Sequence, residues 1–438
     1  MKTFSRILVA WLALAAAVLP CEAAETKKGN EYPLVEAVEC RPRGGLPNVL
    51  AKLEAGREVR IAYLGGSITA QAGWRIKTLQ WFQEQYPRAK VSEINAAIGG
   101  TGSDLGVFRL GHDVLRHKPD LVFVEFAVND GGAAPEDICR SMEGIVRQTL
   151  RADPTTDICF VYTVTRSLVG PMLEGKFPRA ASAMERVADR YAIPSIHMAM
   201  EAARLAKEGK LVWDAKLPKT DEEKKAAEGK FIFAPDSVHP HPETGHQLYL
   251  EAVVRSMARI KAEGKAGPHA LPEPLAADNW EKARMVPLSA VQLSGGWQKL
   301  DESNAMAKNW LKRMPEFWKA DKAGAAVAFR FKGTVASVYD LLGPDCGQVR
   351  VTLDDAAPVI RPRFDRYCTY WRLATLGIGR GLPEEVHSVK IELLPDPPDK
   401  AKIFKDGKQD AENPEDNPKY APNNWYAGAI LLVGDLVE

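Results

Sequence analysis

Residues 59–70 read VRIAYLGGSITA: an apolar, β-rich run that stops abruptly at two glycines and a serine. A run this short, ended by turn residues, fits a strand buried on both faces. Comparable runs follow at 91–96, 121–127, 158–163 and 193–197, each trailed by a loop or an amphipathic helical stretch. Strands alternating with helices predict a parallel sheet covered on both faces. Five of them predict a three-layer, flavodoxin-like α/β domain.

Outward from this core, a helical pattern over 243–262 gives way at 264–276 to a stretch rich in Pro, Ala and Gly, the composition of a linker. Beyond 286 the pattern is strands without intervening long helices, at 326–331, 335–341, 349–353 and 389–394. This predicts an all-β sandwich or jelly roll. The expected organisation is a signal peptide at 1–23, an α/β domain at 31–263, a linker at 264–285 and a β-domain at 286–438. Within the last, polar and Pro-rich residues 395–424 read as a long loop. The Lys-rich segment 206–230 reads as a solvated insertion.

Lys and Arg number 58 against 57 Asp and Glu in 438 residues. That balance offers no footprint for nucleic acid and no polybasic patch for anionic lipid. Lys2 and Arg6, an apolar run over 7–19 and the small residues Ala23 and Ala24 have the layout of a secretory signal peptide, so export to a periplasmic or extracellular space is expected. No later segment is long enough to be a membrane span. Cys21 follows Pro20, where a lipid-attachment signal wants a small residue. Of the cysteines that remain, Cys346 and Cys368 are the one pair considered for a bridge. No Cys/His cluster has the spacing of a metal site, so neither metal nor cofactor is expected. Trp297, Trp310, Trp318, Trp371 and Trp425 in the β-domain could stack on sugars if exposed, but most are expected in its core. Nothing in the sequence speaks to oligomeric state.

The chemistry gathers at the strand ends. The first strand ends at Ser67; the second in NAAIGGTGS, 95–103; the third in VEFAVNDGG, 124–132; and DSVHPHPETGHQLY, 236–249, precedes the last helix. In an open α/β sheet the ligand crevice lies at the carboxyl edge, where these loops meet. Each has an ordinary reading beside the chemical one. Gly-Gly-Ser is a common turn, Asn129 or Asp130 would cap a helix, and an Asp/His pair three residues apart can be incidental. His241 and His246 compete with His239 as bases, although His246 falls on the helix and suits packing or capping.

Taken together and in this order, the four segments resemble the blocks of the SGNH (GDSL-like) hydrolase family, over about residues 59–254. The resemblance implies a serine esterase with Ser67 as nucleophile, His239 as base and Asp236 as its orienter. It further implies an oxyanion hole from the Ser67 and Gly100 amides and the Asn129 side chain. Two positions depart from the family pattern: Gly66 stands where many members carry Asp, and Ala127 where many carry Gly. Arg109, six residues beyond Ser103, is a weaker candidate for a substrate carboxylate. Export and the appended β-domain resemble secreted carbohydrate O-acetylesterases, with an acylated small molecule or glycan as substrate. The alternatives are a lipase or lysophospholipase, an acyltransferase, and a glycan-binding protein whose hydrolase fold is idle.

Overall fold

The computed structural model describes residues 32–407 and 414–438. The expected signal peptide and residues 408–413 lie outside them. Leu34–Glu438 forms one compact unit.

Five parallel strands build the first sheet: β1 (Glu58–Gly65), β2 (Lys90–Ala97), β3 (Leu121–Glu125), β4 (Asp157–Tyr162) and β5 (Ser195–His197). Their order is β2-β1-β3-β4-β5, the flavodoxin arrangement, with Cys40–Arg41 paired antiparallel on the β5 edge. Every residue of β3 and β4 is buried, which is why these runs show no apolar alternation. Helices α1 (Pro47–Glu54), α2 (Ser67–Ala70), α3 (Trp74–Gln85), α4 (Ser103–Asp113), α5 (Pro135–Ala152), α6 (Arg179–Arg190) and α7 (Gly245–Ile260) complete the layers. One face packs α1, α3 and α7 over a core containing Trp74, Phe82 and Tyr249, and α4, α5 and α6 pack together on the other.

Residues 264–282 hold no helix or strand and lie along the α/β domain. The Gly267 amide donates to Asn48 Oδ1 at 2.8 Å, the Ala276 amide donates to Glu143 Oε2 at 2.8 Å, and buried Trp280 packs on Phe108. Strand β6 (Ala283–Pro287) follows, then β7 (Ala326–Leu342), β8 (Gln348–Leu353), β9 (Arg372–Leu393) and β10 (Trp425–Val437), in an antiparallel sheet ordered β6-β10-β7-β9-β8 with shorter strands on its margins. The two short strands expected at 326–331 and 335–341 are one. β7 continues through Gly333 with register shifts at Gly333/Val335 and Ala336/Ser337, and its two halves share a core with β8, β9 and β10. Gly333 makes this bend possible: a Cβ there would meet the Val433 carbonyl at 2.2 Å, and Gly434 across the ladder has φ +141°.

The polar stretch 395–424 is not a plain loop. It contains a helix at Lys400–Asp406, capped by the Asp399 side chain, whose Phe404 joins Phe364, Cys368 and Tyr420 in a small second core. Of the five tryptophans only Trp425 is fully buried. Trp297 and Trp318 lie half-buried against the core, Trp310 is half-buried, and Trp371 is exposed. Cys346 and Cys368 are buried thiols without a bridge.

Candidate active site

The first strand delivers Ser67 to the carboxyl edge of the sheet. Gly66 holds an extended conformation and caps α2, so Ser67 is its first residue. His239 Nε2 stands 2.9 Å from Ser67 Oγ, and His239 Nδ1 stands 2.7 Å from Asp236 Oδ2. The three side chains singled out in two distant loops thus form one hydrogen-bonded chain. Since a carboxylate only accepts, Nδ1 carries the hydrogen and Nε2 is left to accept from the hydroxyl.

Asp236 is fixed by more than the ring. Its Oδ1 accepts the backbone N–H groups of Val238 at 3.1 Å and His239 at 2.7 Å. Partial burial alone would raise its pKa, but these amides and the ring N–H outweigh it and hold the carboxyl below its ordinary value. The turn between them puts Ser237 at φ +66°, a left-handed conformation that costs a non-glycine residue about 1 kcal/mol. It is tied down from outside: Ser237 Oγ donates to Asp214 Oδ2 at 2.8 Å, Arg166 Nη1 donates to the same oxygen at 3.0 Å, and the Arg166 amide donates to the Ser237 carbonyl. Neither Arg166 nor Asp214 was legible as part of the site. Asp214 lies within the segment 206–230 that reads as a solvated insertion.

The other two loops converge on the same turn. A Cβ on Gly66 would fall 2.0 Å from Asn129 Oδ1, and one on Gly99 would fall 3.6 Å from Ser67 Cβ. Asn129 therefore packs directly on the residue preceding Ser67, and the glycine loop lies beside it. Gly100 holds φ +73° with open space around its missing side chain, leaving its backbone uncovered. Behind these loops, Asp130 Oδ1 accepts the Ser103 amide at 3.0 Å, joining the third loop to the start of α4. Burial pushes the Asp130 carboxyl up to about 7. The β-domain also reaches this rim, where Arg313 Nη1 donates to the Ala97 carbonyl at 3.1 Å.

The competing histidines are occupied. His241 Nε2 bonds the Ala215 carbonyl at 2.8 Å. His246 is fully buried, accepts the Trp74 amide at Nδ1 and bonds Gln71 Oε1 at Nε2, and burial lowers its pKa to about 3. Arg109, considered for a substrate carboxylate, has no access to one. It is fully buried and donates to the Ala96 carbonyl, to Asp113 Oδ2 at 3.0 Å and to the Gly65 carbonyl at 3.3 Å. Its guanidinium ties together the strand ends beneath the glycine loop and the Ser67 turn, on the inner side of the helix. Among the described residues no three His, Cys, Asp or Glu side chains are grouped as a metal site, and no helix is long and apolar enough to cross a membrane.

Residues 63–248 match the profile of the GDSL-like Lipase/Acylhydrolase family, the segment that carries all four loops. The α/β domain thus carries the profile of a family of carboxylic ester hydrolases over the segment that builds the site. Among solved structures, the chain resembles a two-domain esterase (CEX) active on acetylated mannans, known alone and co-crystallized with mannopentaose. Identity to each is 21% and the TM-score 0.68. The alignments cover 90% and 91% of this chain and 97% and 98% of those. The fold is thus shared across both domains. Axe2, an acetylxylan esterase from Geobacillus stearothermophilus, aligns over 45% of this chain and 94% of its own at 16% identity, with a TM-score of 0.35. No curated protein matches the sequence.

Proposed function

We propose that the protein removes small acyl groups, acetyl above all, from carbohydrates, with Ser67 as nucleophile, His239 as general base and Asp236 as its orienter. The observation that carries this reading is the unbroken hydrogen-bonded chain Ser67–His239–Asp236. His239 Nε2 takes the Ser67 proton as Oγ attacks the ester carbonyl. The tetrahedral oxyanion is held by the amides of Ser67 and Gly100 and by the Asn129 side chain. Collapse expels the sugar hydroxyl, which receives the proton from His239. Water then repeats the sequence on the acyl-enzyme, releasing the acid and restoring Ser67.

Three features support a small acyl group on a sugar over a long chain. None of the large apolar side chains exposed among the described residues lies in the four site loops, so those loops offer no apolar cover for a lipid tail. The exposed aromatics Tyr370 and Trp371 belong to the β-domain and have the faces on which sugars stack. The two-domain esterase with the same architecture acts on acetylated mannans. Export, as expected from the N-terminal residues, would place the enzyme where polymeric glycans are met.

The test is acyl-chain length, followed by acetate release from acetylated mannan, xylan and sialoglycans. Each methylene moved from water into an apolar pocket contributes about 0.8 kcal/mol, so a lipase gains steeply with chain length. Here kcat/KM on p-nitrophenyl esters is expected to be highest for acetate, to fall by butyrate and to reach background at octanoate. A maximum at octanoate would replace the glycan reading with the lipase one while leaving Ser67 in place.

A further inference from the structure

The family's usual acidic residue before the nucleophile is absent here, and the space it would need is taken. With Asn129 2.0 Å from where a Cβ on Gly66 would stand, position 66 has no room for a side chain. A carboxyl group nevertheless reaches the turn, from the neighbouring strand. Glu125, the last residue of β3, is 1% exposed and lies beneath Ser67. Its Oε2 accepts from Thr69 Oγ1 at 2.8 Å, its Oε1 accepts from Thr163 Oγ1 at 2.7 Å, and the Gly66 N–H donates to the same carboxyl. Thr69 Oγ1 in turn accepts from Trp74 Nε1 at 3.3 Å, which commits its own hydrogen to Glu125.

Every neighbour hydrogen-bonded to this carboxyl is therefore a donor, and the donors come from three places. Gly66 precedes the nucleophile, Thr69 follows it by two residues on α2, and Thr163 lies just past the end of β4. Burial raises the Glu125 pKa, while the three donors act in the opposite direction. An apolar side chain at this position would leave these buried donors without an acceptor. Held at Gly66 and Thr69, the turn has little freedom to tilt, and its tilt sets where Ser67 Oγ points relative to His239 Nε2.

We infer that Glu125 is a positioning residue for the nucleophile, a buried carboxyl that pins the Ser67 turn from below at Gly66 and Thr69. This rests on Ser67 being the nucleophile. The experiment compares wild type, Glu125→Gln, Thr163→Val and Ser67→Ala by kcat and KM on p-nitrophenyl acetate and by the rate of inactivation with a fluorophosphonate. Thermal melting is followed in parallel. Glu125→Gln keeps the shape but turns an amide N–H₂ toward donors. Its kcat and inactivation rate are expected to fall together by about 10- to 100-fold, as for a misplacement of an ångström or less, with KM within about threefold. Thr163→Val removes one donor and should lose less, about 3- to 10-fold, in the same two quantities. A folded Glu125→Gln whose kcat and inactivation rate stay within about twofold of wild type, or whose KM alone rises, overturns the inference. Should that variant not fold, Thr163→Val decides by the same criterion. Ser67→Ala keeps the two failures apart: undiminished labelling of that variant brings down the nucleophile assignment itself, whatever Glu125→Gln does.

Discussion

Two histidine–aspartate pairs in this chain have the same inner geometry and different outer partners. His239 Nδ1 lies 2.7 Å from Asp236 Oδ2 in the α/β domain, and His387 Nδ1 lies 2.8 Å from Asp354 Oδ2 in the β-domain. Both carboxylates also accept a nearby backbone N–H, from His239 in one case and Ser388 in the other. The far nitrogen separates them. His239 Nε2 meets the Ser67 hydroxyl, which can donate, whereas His387 Nε2 meets the Pro383 carbonyl at 2.9 Å, which cannot. His387 therefore donates from both nitrogens. Burial alone would lower its pKa, but Asp354 and the Pro383 carbonyl favour the imidazolium strongly enough to raise it. An Asp-paired histidine becomes a base only where its second nitrogen is free to accept a proton.

The sharpest break of this comparison comes from replacing each ring. His239→Gln should lower kcat by about ten-thousandfold with a near-native melting temperature. His387→Gln should leave kcat within about twofold, since no acceptor role is lost. Comparable losses of kcat in both folded variants would end the distinction.

Asp236→Asn and Asp354→Asn sharpen it at the next level. The first removes the acceptor that holds the base tautomer and should cost about a thousand- to ten-thousandfold in kcat, KM changing little. The second should not change kcat measurably. Asn129→Ala, which touches neither pair but lies against Gly66, should lower kcat about a hundredfold with KM nearly constant, as for loss of one oxyanion donor. A rise in KM at constant kcat would make Asn129 a binding residue.

The smallest effect is on stability and its pH dependence. His387→Gln removes two buried hydrogen bonds and should cost about 1–2 kcal/mol. Because the folded-state pKa of His387 is raised, its charged form stabilises the fold fully below the unfolded value near 6.5, and that contribution is lost as pH rises through the folded value. The gap in melting temperature between wild type and His387→Gln should accordingly be wider at pH 5.5 than at pH 9. A gap independent of pH would mean that folding leaves the His387 pKa unshifted, and a gap wider at pH 9 would mean that the fold keeps His387 neutral.

The same contrast explains what the sequence made legible. The site is built from loops that follow a short buried strand or, for His239, precede the last helix of the α/β domain. Ser67, Asn129 and His239 therefore stand at recognisable boundaries, and the five strands fall within a few residues of where their apolar runs predict. Partners chosen by tertiary packing leave no such mark. Arg109 has the look of a solvated helical arginine, yet it is buried against two strand ends. Glu125 looks like the polar end of an apolar run, and Asp214 like part of a charged insertion. In the β-domain, β9 spans 22 residues through Gly377, Gly379 and Gly381, a composition that argues against a strand. Its pairing with β7 supplies what its own residues do not. The helix at Lys400–Asp406 was hidden for a related reason, since its two large apolar residues, Ile403 and Phe404, gain a partner only when 364–368 and Tyr420 close over them.

The central claim, that one hydroxyl in this chain is made nucleophilic by His239, is tested most directly by labelling with a fluorophosphonate and locating the adduct by peptide mass. The account predicts a single adduct on Ser67, absent from Ser67→Ala and slowed by orders of magnitude in His239→Gln. An adduct on another serine, or full labelling of Ser67→Ala, would contradict it.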